Sequence, residues 1–181
     1  MSRYIAFLRA INVGGHVVKM EALRGLFESL RFSRVETFIA SGNVVFESRS
    51  GDTRALAKRI ERLLHTSLGY EVATFIRTDA QVAAIAEHRF WESAKARSAT
   101  ARNVGFLSQP PRAEAKRALM KLSTDTDDFC VDGRELYWLS RAMLSASDFS
   151  YALFEKTLKV QATFRGLTTV RRLAAKYATS H

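Results

Sequence analysis

The segment INVGGHVV at 11–18 contains the residues best suited to bind an anion. Gly14 and Gly15 have no side chain, so the backbone there can turn its N–H groups toward a ligand. The segment leads into a predicted helix with Lys19 close to its start, and both a helix N-terminus and a cation attract negative charge. The pattern is neither a P-loop nor the dinucleotide fingerprint. A plain turn made by two glycines therefore stays an alternative to a ligand site.

A hairpin around Gly42 is expected to lie beside this loop. In a βαββαβ unit, strands one and three are neighbours, so the loop after strand one and the hairpin before strand three share one end of the sheet. The predicted ligand-binding set is Arg9, Asn12, Gly14, Gly15, Lys19, Ser41, Gly42 and Asn43. Its cations, amides, hydroxyl and backbone donors suit an oxyanion or a phosphate. The one candidate general base near them is His16.

A second basic site is predicted near the C-terminal end of the sequence. The chain has a net charge of +10, from 28 basic and 18 acidic residues, and from residue 156 onward it has no acidic residue. Arg165, Arg172 and Lys176 form this site, because helical spacing places Leu173 and Tyr177 on the opposite, buried side. Such a face attracts nucleic acid or other polyanions. A basic surface without a specific partner is an equal alternative.

Motifs for metal binding and nucleophilic catalysis are not found in the sequence. Cys130 is the one cysteine, which excludes an internal disulfide and favours a small buried hydrophobe over a nucleophile. The four histidines lack metal-ligand spacing, and TDTDD at 124–128 lacks the glycine and glutamate of a calcium loop. There is no GxSxG elbow. We predict no metal and no cofactor, and the sequence leaves open whether the protein is an enzyme.

The elements that must position these residues follow a repeated pattern. The first copy has the order βαββαβ, with strands at 3–10, 35–40, 43–47 and 70–77 and helices at 19–31, 52–68 and 79–87. The second copy has strands at 103–108, 128–131 and 135–140, helices at 110–122, 148–158 and 168–178, and a short strand near 160–164. Gly42-Asn43 and Asp132-Gly133 mark two tight hairpins. The copies share architecture without obvious residue identity.

The chain is predicted to divide into a first half at 1–87 with the Gly-Gly loop, a linker at 88–102, and a second half at 103–181 with a basic C-terminal helix. Each half has an antiparallel sheet with helices on one face. The strands are apolar on both faces, so the second half or another copy of the chain must cover the face without helices. No apolar run is long enough to cross a bilayer, and the N-terminus lacks a signal-peptide pattern, which predicts a cytoplasmic protein without membrane contact.

Three stretches resemble a bacterial family called domain of unknown function 1697. They are YIAFLRAINVGGHVVKM at 4–20, LRGLFESLRFSRVETFIASGNVVFES at 23–48 and ATFRGLTTVRRLAAKY at 162–177. The resemblance implies an α+β fold with a tandem repeat of two ferredoxin-like halves and a C-terminal helix, and it implies no activity. The recurrent family residues fall on Arg9, Asn12, Gly14, Gly15, Lys19, Met20, Ser41, Gly42, Asn43, Phe46, Glu155, Lys156, Thr163, Arg165, Thr169 and Val170. Many relatives have Gly at Ala10 and Asn-Trp at Gly166-Leu167.

The sequence therefore predicts a protein that binds an anionic ligand at the loop after the first strand. The ligand is a nucleotide, a phosphorylated metabolite or a nucleic-acid phosphate, with nucleic acid bound only nonspecifically. One alternative is an enzyme acting on a phosphorylated substrate, with His16 as the proton carrier. Another is a protein–protein interaction module that uses the apolar sheet face, including self-association.

Overall fold

The computed structural model contains two four-stranded antiparallel sheets, each with helices packed on it. It describes residues 1–12, 14–39, 42–142 and 149–178. The elements up to residue 86 are β1 Ser2–Leu8, α1 Met20–Ser29, β2 Ser33–Thr37, β3 Asn43–Ser48, α2 Thr53–Leu68, β4 Thr74–Thr78 and α3 Asp79–Ala86. Those that follow are a 3-10 helix Arg89–Glu92, α4 Ala94–Arg97, β5 Ala101–Leu107, α5 Ala113–Met120, β6 Asp127–Asp132, β7 Glu135–Ser140, α6 Tyr151–Leu158, β8 Ala162–Gly166 and α7 Leu167–Tyr177. The predicted α+β tandem repeat with a C-terminal helix is confirmed.

The chain divides into two compact units. Unit 1 comprises Met1–Val82 and resumes at Tyr177, and unit 2 comprises Ala83–Lys176. The strand order is β2-β3-β1-β4 in unit 1 and β6-β7-β5-β8 in unit 2. In both, the first strand of the unit lies centrally between the third and the fourth, which is the arrangement that βαββαβ order produces.

The core of unit 1 follows from its hydrophobic periodicity. Alternate residues of β1 face the helices, and the helices contribute residues at i, i+4 and i+8 spacing. This core includes Tyr4, Ala6 and Leu8 of β1, Leu23 and Phe27 of α1, and Leu56, Ile60 and Leu64 of α2. The N-cap of α2 is Asp52, whose carboxylate accepts from the Ala55 N–H at 3.0 Å.

The core of unit 2 is richer in aromatic rings. The ring of Phe154 packs against Phe129 and Trp138, with centroids 5.4 and 5.0 Å apart at steep angles, a geometry that aromatic pairs favour. The Trp138 indole N–H donates to Asp127 Oδ1 at 2.8 Å, which satisfies its buried polar atom.

Several boundaries differ from the sequence prediction. The stretch 88–102, expected to be a linker or long loop, contains the 3-10 helix and α4, and it buries Trp91 against the ring of Tyr137 in unit 2. Helix α5 begins at Ala113, after the two prolines, with Arg112 as N-cap. The hairpin turns also differ from the predicted Gly42-Asn43 and Asp132-Gly133, because Asn43 already belongs to β3 and the second turn consists of residues 133–134.

Strand register shows that the two units share residues as well as architecture. Phe7 pairs with Asn43 and Phe75, and Phe106 pairs with Glu135 and Thr163, so the two phenylalanines are equivalent. Extending this register gives five identical pairs: Arg3 and Arg102, Phe7 and Phe106, Leu8 and Leu107, Ser48 and Ser140, and Arg77 and Arg165. The repeat is therefore visible in residue identity once the strands are paired.

Candidate functional site

The loop at 9–19 is anchored at both of its ends. Ile11 and Val18 are buried in the core of unit 1, and the Tyr70 hydroxyl donates to the Ile11 carbonyl at 2.7 Å. The side-chain oxygen of Asn12 accepts from the Val18 N–H at 2.8 Å and closes the loop. The glycines between these anchors are exposed. The loop thus presents a held segment of backbone and is not a loose connection. Val13 lies outside the described residues.

Gly14 and Gly15 both have left-handed backbone conformations, with φ of 69° and 83°. A Cβ atom at Gly14 would meet nothing nearer than His16 Cδ2 at 4.0 Å, and one at Gly15 would meet nothing within 4 Å. Glycine is required at these two positions because of the left-handed backbone conformation, and not because of crowding around the Cβ positions. The same open space leaves the peptide groups accessible to a ligand.

The imidazole of His16 lies flat against the ring of Tyr70, with centroids 3.9 Å apart. The Tyr70 ring is held in place by the hydrogen bond from its hydroxyl to the Ile11 carbonyl. The stack therefore fixes the side of the loop on which the exposed imidazole lies. His16 is thereby held directly after the two glycines.

The hairpin before β3 contacts the loop through Gly42. This glycine has φ of 80°, and its carbonyl accepts from the Leu8 N–H at 2.8 Å. A Cβ at Gly42 would lie 3.0 Å from Ile11 Cγ2 and 3.3 Å from the Leu8 carbonyl oxygen. The hairpin and the start of the loop therefore touch, as strand adjacency predicted. Ser41, a predicted ligand residue, lies outside the described residues.

Asn43 is fully buried beneath the hairpin. Its amide nitrogen donates to the Phe38 carbonyl at 2.9 Å, and its own carbonyl accepts from the Phe38 N–H at 2.9 Å. Asn43 therefore holds the hairpin closed.

The two predicted cations lie at the two ends of the loop. Lys19 is exposed and directly precedes α1, with its carbonyl accepting from the Leu23 N–H at 3.0 Å. Arg9 is partly buried, and its backbone N–H donates to the Ala73 carbonyl at 2.9 Å. A cation beside a helix N-terminus adds to the positive potential there.

The second basic site is divided between two elements. Arg165 lies in β8, where it donates to Thr163 Oγ1 at 3.0 Å and to the Phe164 carbonyl at 2.8 Å. Burial lowers the pKa of Arg165 to about 10, so it still carries its charge at neutral pH. Arg172 and Lys176 are exposed and lie one helical turn apart on α7. The helical pair is thus a surface feature, whereas Arg165 is largely enclosed.

A histidine–aspartate pair in unit 2 was missed at the level of sequence. His88 Nε2 lies 3.0 Å from Asp132 Oδ2, and its Nδ1 accepts from the Phe90 N–H at 3.2 Å. In the neutral ring, Nε2 therefore carries the proton and donates to Asp132. The ring also stacks on Tyr137 at 4.1 Å. The two partners are 44 residues apart, and no spacing pattern in the sequence connects them.

Cys130 lies directly opposite Tyr137 in the register of β6 and β7. Burial, followed by the Asp132 carboxylate, raises the pKa of the Cys130 thiol. A raised thiol pKa disfavours the thiolate, which is the nucleophilic form. This environment favours the reading of Cys130 as a small hydrophobe.

Among the described residues, no group of three or more His, Cys, Asp or Glu side chains is arranged to hold a metal ion. In the same part of the chain, no helix is both long enough and apolar enough to cross a membrane.

Comparison with known proteins identifies a family and a fold. The family model described as "Protein of unknown function (DUF1697)" matches residues 1–137. The chain is similar in structure to the conserved bacterial protein SP0830 from Streptococcus pneumoniae, with 21% sequence identity, a TM-score of 0.75 and 97% of each chain covered. No functionally curated protein matches the sequence. The structural likeness extends over both units.

Proposed function

Because the chain belongs to the DUF1697 family of proteins of unknown function, its role must be inferred from its own residues, and we propose that it binds a small anionic ligand at the loop 9–19. The ligand class is a phosphate-bearing molecule such as a nucleotide or a phosphorylated metabolite. The observation that carries this proposal is the pair of exposed left-handed glycines held between buried anchors and directly before α1.

The arrangement supports an anion for three physical reasons. Backbone without side chains lets a phosphate oxygen approach N–H donors closely. Helix α1 has ten residues, and its N-terminal turn carries N–H groups without intrahelical partners. Lys19 adds a full positive charge at that end. A loop held in place also loses little entropy on binding, which favours affinity.

The role of His16 as a proton carrier is a second candidate function, favoured by the stack on Tyr70. That contact holds an exposed imidazole next to the proposed ligand position. A histidine in that position is suited to act as a general acid or base toward a phosphorylated substrate. A screen of phosphate esters with the His16→Gln variant tests this role, and full turnover by the variant would eliminate it.

Titration with inorganic phosphate and with AMP, followed by NMR of the backbone amides, tests binding at the loop. We expect the amides of Gly14, Gly15 and Met20 to shift and saturate. Lys19→Gln should weaken binding about tenfold, because hydrogen bonds to charged groups contribute roughly 1.5–3 kcal/mol.

Lys58→Gln is the matched control, since Lys58 is an exposed lysine on α2. It removes the same charge and should leave affinity within about twofold, because exposed and distant charges are screened by salt. Equal weakening by both variants would show that net charge, and not this loop, attracts the ligand.

A further inference from the structure

An aromatic ring lies beside the two glycines of the loop 9–19. The imidazole of His16 stacks on the ring of Tyr70, with centroids 3.9 Å apart and the ring planes 25° from parallel. Its Cδ2 atom lies 4.0 Å from the position that a Cβ atom would take at Gly14. The imidazole is therefore next to the backbone at which the phosphate is proposed to bind.

This imidazole has surface left for a ligand. Tyr70 covers one face of the ring, and His16 is nevertheless an exposed residue. A planar ring with one face covered is exposed at its edge and at its opposite face. The side of His16 that is turned away from Tyr70 is thus the side that a ligand would reach.

The orientation of the ring is fixed before any ligand binds. The Tyr70 hydroxyl donates to the carbonyl of Ile11 at 2.7 Å, and Ile11 is 2% exposed in the core of unit 1. The stack thus connects His16 to a buried anchor of the loop. A ring that is already held in place loses little entropy when a ligand stacks on it, which favours affinity.

Val17 adds an apolar surface directly after the ring. Its side chain is 84% exposed, which makes it the most exposed large apolar residue in the part of the chain that the structure describes. A sugar phosphate presents hydroxyl groups that need hydrogen-bond partners, and neither an aliphatic side chain nor a ring face offers a good one. A nucleobase presents a flat π-face, and every base stacks on aromatic side chains through that face. The surface beside the glycines therefore suits a base better than a polyol.

We propose that the face of His16 turned away from Tyr70 stacks on the base of a nucleoside monophosphate, whose phosphate binds at Gly14, Gly15 and the start of α1. This inference rests on the proposed function, and it narrows the ligand class from any phosphate-bearing molecule to a nucleotide. It also gives His16 a binding role that needs only a planar ring and no proton exchange.

NMR titrations of the whole chain with inorganic phosphate, ribose 5-phosphate and AMP test the stack. AMP and ribose 5-phosphate carry the same phosphate monoester, so they differ by the base alone. We expect AMP to bind about tenfold more tightly than ribose 5-phosphate, in keeping with the stacking of a base on an aromatic side chain. We also expect AMP alone to move the ring protons of His16 upfield, because the base lies over them. Equal affinities for AMP and ribose 5-phosphate would overturn the proposal.

Two substitutions at His16 separate stacking from other roles of the imidazole. His16→Ala removes the ring and should make the affinities for AMP and ribose 5-phosphate equal. His16→Phe keeps a planar ring without a titrating nitrogen and should preserve the preference for AMP within about twofold. A preference that persists in His16→Ala, or that His16→Phe loses as completely, would contradict stacking on this ring.

His65→Ala is the matched control, since His65 is an exposed histidine on α2 and lies outside the loop. It should leave the preference for AMP over ribose 5-phosphate within about twofold, as is usual for a surface substitution away from a site. Equal losses in His16→Ala and His65→Ala would show that the preference does not come from the His16 ring, and would overturn the proposal.

Failure of the stack and failure of the loop site give different results. If all three ligands shift the Gly14 and Gly15 amides and AMP binds no more tightly than ribose 5-phosphate, the loop site stands and the stack is wrong. If none of the three shifts these amides, the loop site is wrong and the stack fails with it. Lys19→Gln should weaken AMP and ribose 5-phosphate by the same factor, because Lys19 acts on the phosphate that both carry. A preference for AMP that disappears in Lys19→Gln would contradict separate contacts for base and phosphate.

Discussion

The two units have the same sheet in the same register, but they differ at opposite ends of the central strand. In unit 1 the connection from β1 to α1 spans the eleven residues 9–19, whereas the equivalent connection in unit 2 spans the five residues 108–112. At the other end, Tyr4 and Asn103 are equivalent in register, and the Tyr4 hydroxyl donates to the Ser50 carbonyl, whereas the buried Asn103 amide nitrogen has no hydrogen-bond partner among the described residues. The topology does not require the longer loop, so that loop is a departure that function can explain.

The largest expected effect comes from exchanging the residues at the equivalent position. Tyr4→Asn removes a buried ring and leaves a polar group in the core, so we expect the free energy of unfolding to fall by about 3–5 kcal/mol. Asn103→Tyr should lower it less, because the substitution removes a buried amide nitrogen that has no hydrogen-bond partner among the described residues. Urea denaturation measures both. Similar losses in the two variants would mean that the ends of β1 and β5 do not differ in packing.

The next effect concerns the contact between the hairpin and the loop. Gly42→Ala should lower the free energy of unfolding by about 1–3 kcal/mol, because the residue has φ of 80° and the new Cβ would crowd Ile11 and Leu8. Gly25→Ala is the control, since Gly25 lies inside α1 with nothing near its Cβ position. That substitution should stabilise by about 0.5–1 kcal/mol. A neutral Gly42→Ala would indicate that the loop and hairpin are not held together.

A third prediction distinguishes a small-anion site in unit 1 from a polyanion surface on α7. If the loop holds one phosphate, the slope of log affinity against log salt should be close to one, since each phosphate contact adds roughly 0.9 for duplex DNA. In the Lys19→Gln variant, the affinity should no longer depend on the salt concentration. A steeper slope with an oligonucleotide, abolished by Arg172→Gln with Lys176→Gln and unaffected by Lys19→Gln, would place the function on α7.

The smallest expected effect concerns Cys130, whose partner in the register, Tyr137, stacks against the ring of His88. Since burial and the Asp132 carboxylate raise the pKa of the Cys130 thiol, alkylation should be slow at neutral pH and should become faster as the pH rises toward that pKa. Asp132→Asn should lower that pKa and increase the alkylation rate at pH 8, because it removes a negative charge that disfavours the thiolate. An unchanged rate would mean that the Asp132 charge does not reach the thiol.

Much of the architecture could be predicted because it depends on local patterns. The apolar periodicity of segments such as β1 and α2 identified the elements and their order. The contact between Gly42 and the loop could also be predicted from the sequence, because it requires only that strands one and three are adjacent. The burial of Arg165 could not be predicted from the sequence, because it depends on the pairing of β8 with β5.

By itself the sequence determined the α+β class, the duplicated order of elements, the excess of positive charge and the glycine pair that marks the loop, since each of these is a property of composition or of neighbouring residues. Only the tertiary structure decided which residues of the two units are equivalent, that His88 meets Asp132, and that the buried amide nitrogen of Asn103 has no hydrogen-bond partner in the part of the chain that the structure describes. The physical reason is that strand register and long-range contact bring together residues whose separation along the chain carries no pattern.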